Sequence, residues 1–326
     1  MPPLLKSTLG RIFGWGRAAI MALVHAARSR NSFRGDVDAV LLYVDGTDPQ
    51  IAEARTHWLR QTPPEETDRA STAARRYLAL GEIEFVLRSM DLHAPWLRKI
   101  YVLAESRVPE AVRAHPKVVL IKNSAIVPPG QMPLFNSAAL ELFLDQIPAL
   151  SEHFLYFNDD TFLGRTTHKS DFFTAEGKSR TTLARAGINE LTRPTPSKNS
   201  DDYVFFKAMR STAVALAREL GEKRPRAAIH QARAMRKSVV TACKLQFPAE
   251  VNACTQNRFR DVHDFALCLL AYHTYGYWQG AATVGHYTLP NFLHDHFYAD
   301  IGSDPSPNQA AFNRLLAERP MLFCLN

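Results

Sequence analysis

The feature that most constrains the fold is a short apolar run that stops at two adjacent carboxylates. The run Phe154-Leu155-Tyr156-Phe157 is followed directly by Asn158-Asp159-Asp160. An uninterrupted run of apolar and aromatic residues is typical of a strand buried on both faces, as in a parallel sheet. Because ligands of open α/β sheets lie beyond the carboxyl ends of the strands, this turn is expected at a ligand-binding edge.

Two adjacent carboxylates in that position suit a hard divalent cation. Carboxylate oxygens are preferred ligands of Mg²⁺ and Mn²⁺, which often accompany a phosphate. We therefore expect Asp159 and Asp160 to hold Mg²⁺ or Mn²⁺. The alternative is a strand that ends in an ordinary solvated turn, since Asn and Asp are common turn residues.

A second apolar run ends in the same way. Residues 38–44 form another buried-strand pattern, and Asp45-Gly46-Thr47-Asp48 follow it. Gly46 permits a sharp turn or a close approach of the backbone to a ligand. Two strands are thus predicted to end in turns that carry carboxylates, although an ordinary Asp-Gly turn remains the alternative here.

Strand and helix patterns alternate along residues 36–184. Further strands are predicted near 99–103 and 117–121, and residues 83–90 carry apolar side chains at helical spacing. This order predicts an α/β fold with a mostly parallel sheet and helices on both of its faces.

Residues 185–326 show mainly helical patterns. Helices are predicted over 203–220, 227–245 and 261–275. We interpret this part as a helical insertion that packs against the sheet, together with a C-terminal part that completes the site.

The positive charge of the chain is concentrated at its N-terminus. The net charge is +7, and residues 1–34 carry six basic residues and no acid, which leaves +1 for the rest. Large apolar side chains lie between these basic residues, so residues 1–35 are predicted to be a basic amphipathic segment on an anionic membrane surface. The alternatives are a helix packed on the body, a disordered tail or a cleaved signal peptide.

The remaining composition excludes some classes of protein. Residues 35–326 carry a net charge of only +1, whereas nucleic-acid binders usually carry a strongly basic surface, so no nucleic-acid partner is expected. The four cysteines show no CxxC spacing, which favours a reduced, cytoplasmic protein. Together with the basic segment, this predicts a peripheral location on the inner face of the cell membrane.

The two carboxylate turns belong to longer motifs that resemble a known family. The chain resembles the Stealth proteins, which are sugar-1-phosphate transferases of microbial capsule synthesis and include the animal enzyme that places N-acetylglucosamine-1-phosphate on lysosomal mannose. The resemblance is strong over about residues 36–165 and weaker over 225–280. It rests on these stretches: Asp38 through Pro49, Gly81 through Met90, Ala94 through Val102, Pro133 through Ser137 and His153 through Asp160.

The resemblance implies a fold and a reaction. The fold is of nucleotide-diphospho-sugar transferase (GT-A-like) type. In the family, a hydroxyl of a sugar acceptor attacks the phosphorus next to the donor sugar, a nucleoside monophosphate leaves and a phosphodiester forms. The expected partners are a nucleotide-sugar donor and an oligosaccharide or polysaccharide acceptor. This reaction needs charge neutralisation, in-line positioning and a base for the hydroxyl proton.

The resemblance also assigns roles to residues of the first two blocks. Asp159 and Asp160 would hold the ion, and Asp45 would bind metal or orient the acceptor hydroxyl. Asp48 is a candidate for substrate binding, with capping of the following helix as the alternative. Asn136 could contact the donor through its amide, and a simple helix cap is again the alternative.

The third block supplies the expected base. His230 matches the family histidine, is expected at the start of a helix, and would act as general base with a lowered pKa. The family proline two positions later is Ala232 here. Arg260 would grip phosphate oxygens, and Arg258 is a competing substrate-binding candidate.

The end of the sequence resembles the opening of a fourth block. Asn326 is the last residue of the sequence, and the family continues at this point with an Asp and a helix. We expect Asn326 to contribute to substrate binding. The family acid before Glu82 is Gly81 here. Two alternatives to sugar-1-phosphate transfer remain, namely a metal-dependent glycosyltransferase that moves the sugar without its phosphate and an inactive membrane-bound subunit of a capsule assembly.

Overall fold

The computed structural model describes residues 33–62, 81–184, 189–198, 200, 202–286, 296–301 and 305–325. Most of the basic N-terminal segment and Asn326 therefore lie outside the described residues. The strands, in chain order, are β1 (Val37–Leu42), β2 (Ile100–Leu103), β3 (Val118–Ile121), β4 (His153–Phe157), β5 (Thr161–Leu163), β6 (Ser179–Leu183), β7 (Arg233–Arg236), β8 (Ala282–His286), β9 (His296–Ala299) and β10 (Leu322–Leu325).

Helices cover both sides of the strands. They are α1 (Pro49–Gln61), α2 (Glu82–His93), α3 (Glu110–Arg113), α4 (Ser137–Glu141), α5 (Lys169–Phe172), α6 (Tyr203–Leu220), α7 (Lys237–Gln246), α8 (Pro248–Thr255), α9 (Tyr272–Trp278) and α10 (Pro305–Glu318). Among the residues just defined, no helix is both long and apolar enough to cross a bilayer.

The central sheet has five strands in the order β3-β2-β1-β4-β7. The pairs β3–β2, β2–β1 and β1–β4 are parallel, whereas β7 runs antiparallel to β4. Two smaller sheets, β5-β10-β9 and β6-β8, complete the described strands. The predicted α/β class with a mostly parallel sheet is confirmed.

Both faces of the central sheet are buried, as the apolar runs predict. On β4, Phe154 and Tyr156 face one apolar cluster and Leu155 and Phe157 face the other. Helix α2 covers the second cluster with residues spaced by three and four positions, namely Ile83, Val86, Leu87 and Met90. The first cluster is covered by side chains of α6, α7 and α9, the helical part of the C-terminal half.

The predicted helix over 227–245 is wrong in its first half. The structure has β7 at Arg233–Arg236, and the helix begins only at Lys237. Residues 227–236 favour a helix by their local composition, but hydrogen bonds to β4 outweigh that weak preference.

The predicted helix over 261–275 is also only partly correct. Residues 261–266 are not helical, Leu267–Ala271 form a π-helical turn, and α9 begins at Tyr272. The Asp264 carboxylate accepts a hydrogen bond from the Asp261 backbone N–H at 2.9 Å. This local side-chain bond competes with helix formation over the first turn.

Candidate active site

The strand order places a crevice between β1 and β4. The chain leaves β1 toward β2 and β3 on one side and returns to β4 on the other. Loops after such a pair diverge, so a ligand-binding crevice opens at their carboxyl ends. The pairing of Leu41 with Phe157 brings Asp45 and the 158–160 turn to the same edge of the sheet.

Thr161 anchors the turn that follows β4. The Thr161 hydroxyl accepts from the Asn158 N–H at 3.1 Å and donates to the Asn158 carbonyl at 2.9 Å. Because Thr161 is fully buried in β5, the turn that carries Asp159 and Asp160 is anchored to the core.

The two aspartates lie in a place that disfavours negative charge. Burial, followed by the neighbouring charges of Asp160 and Glu82, raises the pKa of Asp159 to about 7. Burial also raises the pKa of Asp160. One oxygen of Asp160, Oδ1, is buried and accepts no hydrogen bond from a described residue.

These observations fit a divalent cation. A cation that binds both carboxylates would offset their burial and their mutual repulsion, and it would satisfy the buried Oδ1 atom of Asp160. Asp159 and Asp160 are therefore the residues that would hold Mg²⁺ or Mn²⁺.

Asp45 lies at the same edge, in a local turn. Its Oδ1 atom accepts from the Thr47 N–H at 2.9 Å and from the Thr47 hydroxyl at 2.5 Å, and its N–H donates to the Ser106 hydroxyl. Burial and then the charges of Asp45, Glu82 and Asp159 raise the pKa of Tyr43 to about 12. The charges of Asp45 and Asp159 thus act on one side chain at the crevice.

The antiparallel strand β7 delivers His230 to the crevice. Arg233 pairs with Tyr156 near the carboxyl end of β4, so the residues that precede β7 lie beside the 158–160 turn. The His230 Nε2 atom is 3.6 Å from Asp160 Oδ1, and the histidine side chain is 31% exposed.

The expected helix start at His230 is wrong, and so is the expected cause of its lowered pKa. His230 precedes a strand. Burial, and then the positive charges of Arg233, His296 and Arg260, lower the pKa of His230 to about 3. The imidazole is therefore neutral at neutral pH, as a general base requires.

The two arginines of the third block have different surroundings. Arg260 donates to the Ser137 hydroxyl at 3.0 Å. Its positive charge partly opposes the burial that raises the pKa values of Asp159 and Asp160, and it adds to the lowering of the pKa of His230, so Arg260 belongs to the crevice. Arg258 instead donates to the carbonyls of Met132 and Gly130 and lies over Trp58, with 3.9 Å from its Cζ atom to the ring centroid. Arg258 thus holds a loop against α1, which leaves its expected substrate contact without structural support.

Asn136 is committed to the protein interior. It is 2% exposed, and its Nδ2 atom lies 2.9–3.3 Å from two carbonyls and from both oxygens of Asp264. Its Oδ1 atom caps α4 by accepting from the Ala138 N–H. The amide that was expected to contact the donor is therefore already hydrogen-bonded within the protein, and Asn136 is the N-cap of α4.

Asp48 is also structural. It caps α1 by accepting from the Gln50 N–H at 3.0 Å, and it accepts from the Arg107 N–H at 2.7 Å. The hydrogen bond from Arg107 is the largest of the causes that lower the pKa of Asp48. The capping alternative, rather than substrate binding, accounts for this residue.

Sequence reasoning missed two residues of the crevice. Arg233 is 5% exposed and donates to the Asn158 side chain at 3.3 Å. Cys324 in β10 pairs with Thr161 and places its Sγ atom 3.4 Å from Asp160 Oδ2. No local pattern marks either one, because both arrive through strand pairing between distant parts of the chain.

Comparison with known proteins agrees with the motifs. A family model described as Stealth protein conserved region 2 matches residues 76–181. The chain is 33% identical to the exopolysaccharide phosphotransferase SCO2594 of Streptomyces coelicolor over 89% of its own length and 46% of that protein. It is 33% identical to the exopolysaccharide phosphotransferase CpsY of Mycobacterium tuberculosis over 76% of its own length and 45% of that protein.

The chain thus carries a region that matches conserved region 2 of the Stealth proteins. The chain spans about half the length of the curated relatives it matches. It is also 31% identical to an exopolysaccharide phosphotransferase of Nocardia farcinica, over 89% of its own length and 55% of that protein.

Solved structures of two glycosyltransferases are similar at low identity. The galactosyltransferase LgtC, in complex with donor and acceptor sugar analogs, has a TM-score of 0.41 and 11% identity, and the match covers 89% of this chain and 87% of LgtC. The glycosyltransferase GlyE of Streptococcus pneumoniae has a TM-score of 0.39 and 12% identity, and the match covers 90% of this chain and 55% of GlyE.

Proposed function

We propose that this chain transfers a sugar-1-phosphate from a nucleotide-diphospho-sugar to a sugar hydroxyl and so forms phosphodiester linkages in a capsular or exopolysaccharide. The observation that carries the proposal is the convergence of His230, Arg260 and the Asp159–Asp160 pair at the carboxyl edge of β4. The names of the family relatives support the same chemistry.

In this reaction one bond forms and one breaks at the phosphorus next to the donor sugar. The acceptor oxygen bonds to that phosphorus, the bond to the bridging oxygen breaks, and the nucleoside monophosphate leaves. His230 takes the proton of the acceptor hydroxyl on a ring nitrogen, since its imidazole is neutral and part of its side chain is exposed to the crevice. The negative charge of a bound donor would offset the surrounding arginines and make the ring more basic than it is in the empty crevice.

The charged groups of the crevice position the donor. Arg260 is held by Ser137 and can donate to phosphate oxygens through the rest of its guanidinium fork. Arg233 holds the side chain of Asn158 and so fixes the turn that carries the two aspartates. A divalent ion bound by Asp159 and Asp160 would neutralise the diphosphate and stabilise the leaving nucleotide. Asp45 orients the acceptor hydroxyl from the opposite side of the crevice.

Product analysis tests the reaction. The full chain is incubated with Mg²⁺, a panel of nucleotide sugars and acceptor oligosaccharides, and the released nucleotide is identified by mass. A nucleoside monophosphate supports the proposal. A nucleoside diphosphate would instead identify transfer of the sugar without its phosphate, and no release with any donor would reject both reactions.

Two pairs of variants test the assigned roles. His230→Gln is expected to lower kcat by roughly 10²–10⁴-fold while donor affinity stays nearly unchanged, because the base does not hold the donor. His263→Gln is the matched control, since His263 is an exposed histidine of the third block outside the crevice. Arg260→Met should weaken donor binding and turnover together. Arg258→Met is its control, and equal effects of the two arginine variants on donor affinity would contradict the assignment.

The uneven charge supports a location for this chemistry. The six basic residues of the first 34 would hold the chain on an anionic membrane surface, while the nearly neutral body carries the crevice. Such attachment would bring the crevice close to a membrane-associated acceptor.

A further inference from the structure

Cys324 lies beside the two side chains on which the proposed chemistry depends. Its Sγ atom is 3.4 Å from Asp160 Oδ2 and 4.0 Å from His230 Nδ1. The His230 Nε2 atom is in turn 3.6 Å from Asp160 Oδ1. One ligand atom from each of the three residues can be chosen so that all lie within 4.8 Å of one another.

These separations are close to those of a tetrahedral metal site. With about 2.3 Å from zinc to sulfur and about 2.0 Å from zinc to nitrogen or oxygen, tetrahedral ligand atoms lie about 3.3–3.5 Å apart. The three observed contacts, from 3.4 to 4.0 Å, use both oxygens of Asp160 and both ring nitrogens of His230. One atom from each residue lies within 4.8 Å of the others, so small rotations of these side chains would close the site around an ion. Rotation of the His230 ring decides which nitrogen faces the ion.

The chemistry of the three ligands differs from that of the aspartate pair alone. Thiolate and imidazole are softer ligands than carboxylate, and they favour Zn²⁺ and Co²⁺ over Mg²⁺. Asp160 Oδ1 is a buried oxygen without a hydrogen-bond donor among the described residues, so a cation would supply the interaction it lacks.

We propose that Asp160, His230 and Cys324 form a binding site for Zn²⁺ or a similar borderline-soft cation, and that occupation of this site inhibits transfer. On binding, the Cys324 S–H bond breaks, its proton passes to solvent and a metal–sulfur bond forms. The ion also takes the lone pair of His230 that would otherwise accept the hydroxyl proton. The inhibitory half of this inference rests on the proposed function, whereas the binding half does not.

Cobalt tests the binding half without any assay of activity. Co²⁺ is titrated into the full chain, and absorption that arises from charge transfer between thiolate and cobalt is recorded. We expect this absorption in the wild type and in Cys243→Ala, which removes a thiol buried in α7 outside the crevice. It should be absent in Cys324→Ser, and Co²⁺ affinity should fall at least about 10-fold, the lower end of what a supporting residue of a metal site is worth.

A second variant guards against misfolding of the first. His230→Gln should keep the sulfur absorption but bind Co²⁺ at least about 10-fold more weakly, because it loses one ligand and retains the thiol. No sulfur absorption in the wild type, or undiminished absorption in Cys324→Ser, would overturn the site.

Inhibition is measured as the rate with Zn²⁺ and Mg²⁺ relative to each variant's own rate with Mg²⁺ alone. Wild type and Cys243→Ala should lose most of their activity at Zn²⁺ concentrations that leave Cys324→Ser active. Binding without inhibition would overturn the second half of the inference. A wild type that binds Co²⁺ through sulfur yet shows no turnover with any donor would reject the proposed function and leave the metal site standing.

Discussion

The role of Asn136 gives a sharp prediction, because its side chain joins two distant segments. The Asn136→Ala variant removes the cap of α4 and the contacts that its amide makes to Asn257, Phe259 and Asp264. The amide has two hydrogens for four acceptors, so these contacts count as about two hydrogen bonds.

The expected loss of stability follows from the two kinds of contact. A lost Asn cap costs about 0.5–2 kcal/mol. A hydrogen bond to a buried carboxylate is worth about 1.5–3 kcal/mol, and its loss leaves Asp264 short of a donor. We expect Asn136→Ala to lower the free energy of unfolding by about 2–5 kcal/mol, equivalent to a fall in Tm of roughly 4 °C or more.

Thermal unfolding followed by circular dichroism measures this effect. Ser137→Ala, one residue further along, is the control, because Ser137 is only partly buried and serves Arg260. Its Tm should stay close to that of the wild type, while its donor affinity falls. If Asn136→Ala kept the wild-type Tm and lost only donor affinity, the side chain would contact the donor and the structural interpretation would be wrong.

Three further predictions concern stability and location. Asp38→Ala should lower the free energy of unfolding by about 3–5 kcal/mol in denaturant titrations, because it leaves Arg98 and two backbone N–H groups without their buried carboxylate; a loss below about 1 kcal/mol would refute this. Burial raises the pKa of Asp264 from 3.8 to about 6, so its stabilising effect is complete below about pH 3.8 and is lost as the pH rises through about 6. Asp264→Asn, which does not titrate, should therefore destabilise by about 1 kcal/mol more at pH 5 than at pH 7.5, and a pH-independent difference in unfolding free energy would contradict the cause given. The full chain should sediment with anionic liposomes in a salt-sensitive way, since each basic residue near the surface is worth about 1 kcal/mol; equal sedimentation of a 35–326 variant would show that the basic segment is not the anchor.

The parts of the fold that could be predicted from sequence are those with a local signal. The run at 154–157 is buried on both faces, so its apolar pattern is continuous, and β4 lies at His153–Phe157. The apolar spacing over 83–90 likewise matches α2, and the helix predicted over 203–220 matches α6. In each case the pattern needs no knowledge of distant residues.

The sequence predictions that were wrong or incomplete concern residues whose structure depends on partners far away in the chain. Strand β7 has the local composition of a helix and becomes a strand through hydrogen bonds to β4. The sequence around Asn136 is compatible with both a helix cap and a ligand contact. Only the burial of its side chain against Asp264 favours the cap. Arg233 and Cys324 join the crevice through strands paired across long stretches of chain, which no spacing rule detects.

Because β7 pairs antiparallel with β4, the position of His230 does not depend on the length of the chain that precedes it. The register runs from His153 opposite Arg236 to Tyr156 opposite Arg233. His230 lies three residues before Arg233, so this register fixes its position beside the end of β4. Residues 185–228 can therefore gain or lose length at exposed positions without shifting the imidazole relative to Asp160. The length of this segment can therefore vary while the spacing between the imidazole and the carboxylate stays fixed by the strand pairing.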